Sequence, residues 1–459
     1  MPTGRPVFVL PSSNTQRCLD RFSILDDLEE DSSGLVPFWS LLIEILKQKV
    51  DEASHLVDVL DTISNSLRGS SAASGDYGTL KAMVQNKNHK FFSHLWPRIV
   101  WLALQMPELF PEGCMSVLQP GQSIRLTRRQ AGCLVAHQFL CTLQPPSWRQ
   151  DFFDFSIWYD SSQRHPKAVE MYLTALFIYA QRFDENDNMG AVEYSLHSSG
   201  HSTKPMPQDW ETVTLSPISV TKLQTCSTEQ QEPDYQGPDG AVIVSANKDI
   251  GFGESATQEE LFVGNCPEAC PAVLVTPTMA DDQALVINGA TPMLRIQGQG
   301  RDIFWWVLDP AAIKGSGGRM LFMDALEIDE EACDDTQGLP DLKPENRHRE
   351  IVKAYTTLSS WDAGARVTVW TGLWGCGAFN GDPGVKMTLL WMAASLADKE
   401  LCILCEPSRV DFATQFGAFI RQMLALPSGA TVGDLGDRLD RIPPTTRRLD
   451  TARWLLMPP

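Results

Sequence analysis

Twice in its C-terminal half the chain sets a short β-branched run before a glycine-bearing loop and then a helix-forming segment. The first unit is "AVIVSAN" (Ala241 to Asn247), "KDIGFG" and "QEELF"; the second is "ARVTVW", "TGLWGCGAFNGD" (Thr371 to Asp382) and "VKMTLLWMAASLADK" (Val385 to Lys399). A strand that passes through glycine into a helix lets backbone N–H groups approach a phosphate, because glycine lacks the Cβ that would hold a ligand off. Two such units in one α/β domain give two loops that can clasp one ligand from both sides. "QALVING", "GRMLFMDAL" and "ARVTVWTG" read as further strands, and Pro344 to Tyr355 as a helix.

The N-terminal part has another character. At 459 residues the chain exceeds what one core usually serves, and two domains are expected. Leu42, Leu46, Val50, Ala53, Leu56, Leu60, Ile63 and Leu67 recur at helical spacing and predict one amphipathic helix across Pro37 to Leu67. His89 to Pro111 is helical material interrupted at Pro97, Leu126 to Leu143 opens on the N-cap Thr127, and His165 to Phe183 has Pro166 near its start. Residues 1–183 are thus expected to be an all-helical accessory domain. Residues 184–240, rich in Ser, Thr, Gln and Pro with pieces such as "WETVTLSPISVTKL", read as a linker or extended excursion. Residues 241–459 form the α/β domain.

Composition removes several functional classes. With 38 Lys+Arg against 57 Asp+Glu the net charge is −19, which argues against direct nucleic-acid binding; a polyanion would have to be held locally, by backbone amides and a few cations. No apolar run has the ~18 residues of a membrane span, and the first residues lack a signal-peptide pattern. Eleven scattered cysteines suggest free thiols in a reducing compartment, hence an intracellular protein of nucleus or cytoplasm. Cys402 and Cys405 form a Cys-x-x-Cys pair with no matching second pair and read as small buried residues; His197 and His201 lack a helix to place them, so no metal and no cofactor is expected. Arg125, Arg128 and Arg129 form a small basic cluster, by default a solvated face, with contact to distant phosphates of a polyanion as the sharper reading.

Taken together, "VSANKDIGFG" running into "QEELF", then "LVING", "FMDAL", "REIVKAY" and above all "TGLWGCGAFNGD" resemble the poly(ADP-ribose) glycohydrolase family. Upstream, "FFSHLWPRIVWLALQMPELFP" and "LTRRQAGCLVAHQFLCTL" resemble that family's helical region, so the likeness runs from about His89 to Pro407. The resemblance implies a macrodomain-like three-layer α/β/α domain with a mixed sheet, preceded by the helical accessory domain. It implies Glu260 as catalytic acid, Glu259 as the neighbouring carboxylate that orients ribose hydroxyls, and Gln258 beside them. Asn247 would contact the ribose whose bond is cleaved; Gly251, Phe252 and Gly253 would line the diphosphate loop; Gly375, Cys376, Gly377, Ala378 and Phe379 would line the opposing one. The partners implied are poly(ADP-ribose), ADP-ribose and poly-ADP-ribosylated proteins. Phe252 stands in place of a middle glycine, with a short spacer before Gln258. Leu373 stands where the family commonly has asparagine, Gln299 where a substrate-stacking tyrosine is expected, and Glu406 where an aromatic is expected.

The residue types suit the chemistry. Cleaving a ribose–ribose O-glycosidic bond needs a proton delivered to the leaving oxygen, and then a base for water. One glutamate serves both if its pKa is raised towards neutrality by burial or a nearby like charge. Successive helical side chains diverge by ~100°, so Glu259 and Glu260 cannot both face the bond. The competing readings are a non-catalytic ADP-ribose reader and a scaffold built on an inactive domain.

Overall fold

The computed structural model describes residues 6–25, 30–68, 75–86, 90–146, 148, 154–183, 190–202, 204–222, 240–298, 302–309, 318–328, 338–361, 367–427 and 429–457. Two short antiparallel pairs, β1 (Val7–Val9) with β4 (Cys114–Ser116) and β2 (Arg17–Cys18) with β3 (Val36–Pro37), brace the N-terminal helices. The stretch from Pro37 to Leu67 is two helices, α1 (Phe38–Leu46) and α2 (Ala53–Arg68), rather than the single predicted one. Its buried face is nonetheless continuous through Leu46, Val50 and Ala53. At the break, the Glu52 carbonyl accepts from Leu56 N at 3.2 Å and its carboxylate from the Ser54 hydroxyl, which starts a new helix. Next come α3 (Gly78–Gln85), α4 (Trp96–Leu104) and α5 (Met106–Leu109). A π-helical turn, Phe91–Leu95, runs directly into α4, and Pro97 sits in the first turn of α4, where the winding changes.

Thr127 caps α6 (Arg128–Phe139) in a reciprocal capping box with Gln130, and Pro166 opens α7 (Pro166–Arg182). Just before α6, the alternating "QSIRLT" forms β5 (Gln122–Thr127), which leaves the helices to pair with β6 (Ala191–Ser198) at one edge of the central sheet. At the other edge lies β7 (Ile218–Lys222). The sheet thus draws strands from before residue 183 and from the Ser/Thr-rich stretch, on both sides of the boundaries composition suggests.

The second part supplies β8 (Ala241–Ala246), α8 (Gln258–Asn265), α9 (Ala272–Val275), β9 (Gln283–Asn288), a separate hairpin of β10 (Leu294–Gln297) and β11 (Phe304–Val307), and β12 (Arg319–Asp324). It continues with α10 (Pro344–Leu358), β13 (Thr368–Thr371), α11 (Pro383–Leu396), β14 (Glu400–Cys405), α12 (Val410–Leu424), α13 (Val432–Asp440) and α14 (Thr451–Leu455). The eight-stranded sheet runs β5-β6-β9-β12-β8-β13-β14-β7, parallel from β12 to β7 and antiparallel from β5 to β12.

Period-two alternation divides the buried side chains between two cores. Val242, Val244, Leu285, Ile287, Met320 and Phe322 face one core, which continues into α1 to α7. Ala241, Ile243, Ala284, Val286, Leu321 and Met323 face the other, closed by α10 to α14. The result is a three-layer α/β/α sandwich whose first helical layer is continuous with the N-terminal helices. Cys402 and Cys405 are buried in β14, as small apolar residues.

Candidate active site

The register aligns Asp324 with Ala246 and Thr371 with Ile243, so β8 and β12 end together while the parallel β13 stops beside Ile243, toward the same end of the sheet. Both glycine-bearing loops leave from those carboxyl ends, where ligands bind in open α/β sheets. At Gly372 an added Cβ would lie 3.8 Å from Gln258 Nε2, which brings the two loops within contact of each other.

The first loop is tied to α8. Thr257 and Glu260 form a reciprocal capping box: Thr257 N donates to Glu260 Oε2 at 3.0 Å, and Glu260 N to Thr257 Oγ1 at 3.3 Å. Gln258 turns back to β8, accepting from Ser245 N at 3.0 Å and donating to the Ile243 carbonyl at 3.4 Å. Glu259 is buried, and its two carboxylate oxygens accept from Asn247 N and Gly251 N, each at 2.8 Å. These two bonds hold the backbone between Asn247 and Gly251 in its turn and fix the direction of the Glu259 carboxylate. Asn247 Oδ1 accepts from Asp249 N at 3.0 Å, which closes the turn that leaves β8.

Glu260 faces the other way. An added Cβ on Gly253 would lie 2.3 Å from Glu260 Oε1, so this position must be glycine for the carboxylate to sit where it does. Burial pushes the Glu260 carboxyl above its ordinary value, opposed by hydrogen bonds from Thr257 and Ser255 and by the charge of His165. The helical domain builds much of this surrounding. Trp158 donates from Nε1 to the Gly253 carbonyl at 3.0 Å and packs against Tyr172 with ring centroids 5.1 Å apart. Tyr172 is within electrostatic reach of Glu260. Phe252 is buried between Phe155 and Trp158, each 5.3 Å away centroid to centroid. Its side chain thus fastens the loop to the helical domain.

The second loop is shaped by a buried charge network. Gly375 has φ +73°, and an added Cβ would meet Ala325 Cβ at 2.6 Å; its carbonyl accepts from Gly381 N at 2.8 Å. Behind it, Lys386 on α11 is fully buried, bonded to Glu350 at 2.6 Å and 3.3 Å from Asp341. Burial raises the Asp341 carboxyl to about 6, against the opposing pull of Lys386. Asp341 in turn accepts from Asp382 N at 2.8 Å, and Asp382 caps α11 through Val385 N at 2.9 Å. Trp374 and Cys376 are buried, with Trp374 Nε1 donating to the Met323 carbonyl at 3.1 Å; burial pushes the Cys376 thiol well up. Leu373 and Phe379 pack on the second core, whereas Gly377 and Ala378 are exposed at the loop crest. Each loop also holds one non-glycine residue with φ +55°, Ala256 and Asn380. Such strain is kept where surrounding structure over-determines it, often at ligand clamps.

Gln299 lies outside the described residues. Arg128 is paired with the buried Glu268, which follows α8, and Arg129 with Gln105 at 2.9 Å inside the helical domain, so two of the three clustered arginines have structural partners. Trp158 and Tyr172 carry no signal in spacing or motif. The capping box of Thr257 with Glu260 is legible as Thr-x-x-Glu before the apolar end of α8. Among the described residues no group of His, Cys, Asp and Glu is placed to hold a metal, and no helix is long and apolar enough to cross a membrane.

Comparison with known proteins agrees with this architecture. Residues 208–409 match the family described as poly(ADP-ribose) glycohydrolase, macro domain fold, and residues 83–195 match the helical domain of the same family. Poly(ADP-ribose) glycohydrolase 1 of Caenorhabditis elegans is 25% identical over 332 residues, covering 68% of this chain and 40% of the relative. Poly(ADP-ribose) glycohydrolase 2 of the same organism is 29% identical over 251 residues, covering 51% of this chain and 49% of the relative. The matches thus span less than half the length of these relatives. Among solved structures, a mutant poly(ADP-ribose) glycohydrolase from Deinococcus radiodurans in complex with ADP-ribose is 17% identical with a TM-score of 0.32, covering 50% of this chain and 94% of that one. The chain belongs to the poly(ADP-ribose) glycohydrolase family.

Proposed function

We propose that the chain hydrolyses ribose–ribose O-glycosidic bonds of poly(ADP-ribose) and releases ADP-ribose, with Glu260 as general acid and then base. The observation that carries this reading is the Glu260 carboxyl itself: set against Gly253 at the start of α8, with its pKa raised by burial beside the helical domain. In the first half-reaction the protonated carboxyl gives its proton to the leaving ribose oxygen as the C–O bond breaks and the anomeric carbon gains oxocarbenium character. In the second, the carboxylate takes a proton from the attacking water and is restored. Glu259, with both oxygens on backbone amides, acts through the loop. Asn247, the backbone of Gly251 to Gly253, and Gly375 to Phe379 are the proposed ligand contacts, and poly-ADP-ribosylated proteins of nucleus or cytoplasm the proposed targets.

A second reading, a non-catalytic ADP-ribose binder, draws on the capping box, which gives Glu260 a purely structural task. Glu260→Gln separates the two, because glutamine at this position keeps the capping box and removes the acid. Incubation of the chain and the variant with poly(ADP-ribose) is expected to give ADP-ribose release from the wild type alone, with polymer bound by both. Equal release by both would remove Glu260 from the mechanism, and binding without release by either would favour the binder.

A further inference from the structure

Beyond the loops, the hairpin of β10 and β11 shows a face that neither core uses. Direct pairing of Arg295 with Trp306 and of Gln297 with Phe304 puts these four side chains on one face. Phe304 is 56% exposed and Trp306 44%, high values for large aromatics. Each carries a cation: Lys167 Nζ lies 4.5 Å from the Phe304 ring centroid, and the Arg295 guanidinium 5.8 Å from that of Trp306. The opposite face holds the buried Leu294 together with Ile296 and Trp305, which pack on the core.

The hairpin is fixed in place relative to Glu260. Asn265, the last residue of α8, exchanges hydrogen bonds with Leu294 N and the Leu294 carbonyl, both at 2.8 Å. Arg182, at the end of α7, donates to the Leu308 carbonyl. At the other end of α7, Lys167 meets Phe304 two residues after His165, whose charge acts on Glu260. Phe304 therefore stands at the Glu260 end of α7, and Trp306 follows it two residues further along the strand.

The geometry points to this face as a stacking platform for adenine rings of the ADP-ribose polymer beyond the unit being cleaved, with Lys167 and Arg295 meeting their diphosphates. The inference rests on the substrate reading above. Aromatic rings interleaved with cations are the combination that holds a flexible polymer of bases and phosphates, since every base offers a π face and stacking is tolerant of geometry. In a chain of net charge −19, such a local cationic track is what a polyanion needs.

The test is direct binding of fluorescent ADP-ribose and of poly(ADP-ribose) of defined length to the full chain carrying Glu260→Gln, with wild-type turnover measured alongside. Phe304→Ala and Trp306→Ala should each lower the affinity for long chains relative to ADP-ribose by about tenfold. Trp306→Phe should keep most of the preference, and Val307→Ser, on the opposite face, all of it. Unaltered long-chain preference in the Phe304→Ala/Trp306→Ala double variant, or an equal loss in Val307→Ser, would overturn the platform. Binding of no chain length at all would overturn it too. Absence of wild-type turnover with ring-dependent long-chain binding would sink the hydrolase reading and leave the platform supported.

Discussion

Replacing Glu259 by glutamine removes one negative oxygen from a side chain that holds two backbone amides. In the native loop Asn247 N and Gly251 N both donate to the carboxylate at 2.8 Å, in a buried position. A glutamine oxygen can keep one of them; the other amide then faces an NH₂ group, donor against donor. Hydrogen bonds to a charged acceptor contribute about 1.5–3 kcal/mol each, and a stranded buried amide costs about 1–3 kcal/mol, so the expected loss is about 2–4 kcal/mol. Since Gly251 is in the loop proposed to hold the diphosphate, ADP-ribose affinity should fall with stability. Urea unfolding monitored by tryptophan fluorescence measures the first, and isothermal titration with ADP-ribose the second. Wild-type stability accompanied by lost affinity would refute the reasoning and return Glu259 to direct contact with the ligand.

Gly253→Ala places a Cβ at 2.3 Å from Glu260 Oε1, the movable end of a side chain, so the melting temperature should change little while turnover falls at least tenfold as the carboxyl is displaced. Lys386→Met removes the buried cation between Glu350 and Asp341, leaving Glu350 its Arg349 partner at 2.6 Å and Asp341 the Asp382 amide, and should cost about 3 kcal/mol in urea unfolding. Because burial raises Asp341 to about 6, its protonated form favours folding: that contribution is complete below the ordinary carboxyl pKa and is lost as pH rises to about 6. Asp341→Asn should therefore flatten the stability profile across that window, as followed by thermal melts at stepped pH. Tyr172→Phe removes a buried hydroxyl with no hydrogen-bond partner and should leave the melting temperature unchanged or higher.

Much of the C-terminal domain is legible from local pattern. β-branched runs at Ala241–Ala246 and Gln283–Asn288 and the glycine loops that follow β8 and β13 each announce themselves within about ten residues. Long-range partners are what the sequence conceals. Phe252 reads as a lost glycine in a phosphate cradle, yet its side chain is an anchor between Phe155 and Trp158, nearly a hundred residues upstream. The family resemblance implies that Glu259 orients ribose hydroxyls, but no local pattern shows that its carboxylate holds the amides of Asn247 and Gly251. "QSIRLT" does carry a period-two signal, but its helical surroundings mask it, and only pairing with β6 makes it part of the sheet. The network of Lys386, Glu350 and Asp341 unites residues from three places in the chain, which no local periodicity relates.

The proposed mechanism turns on whether burial beside the helical domain raises the pKa of the Glu260 carboxyl. Carbon-13 titration of glutamate-labelled protein, with the Glu260 signal assigned by its loss in Glu260→Gln, measures this directly. The expected pKa lies above the ordinary glutamate value of 4.5. A carboxyl that titrates at or below that value would contradict the assignment of Glu260 as a proton donor.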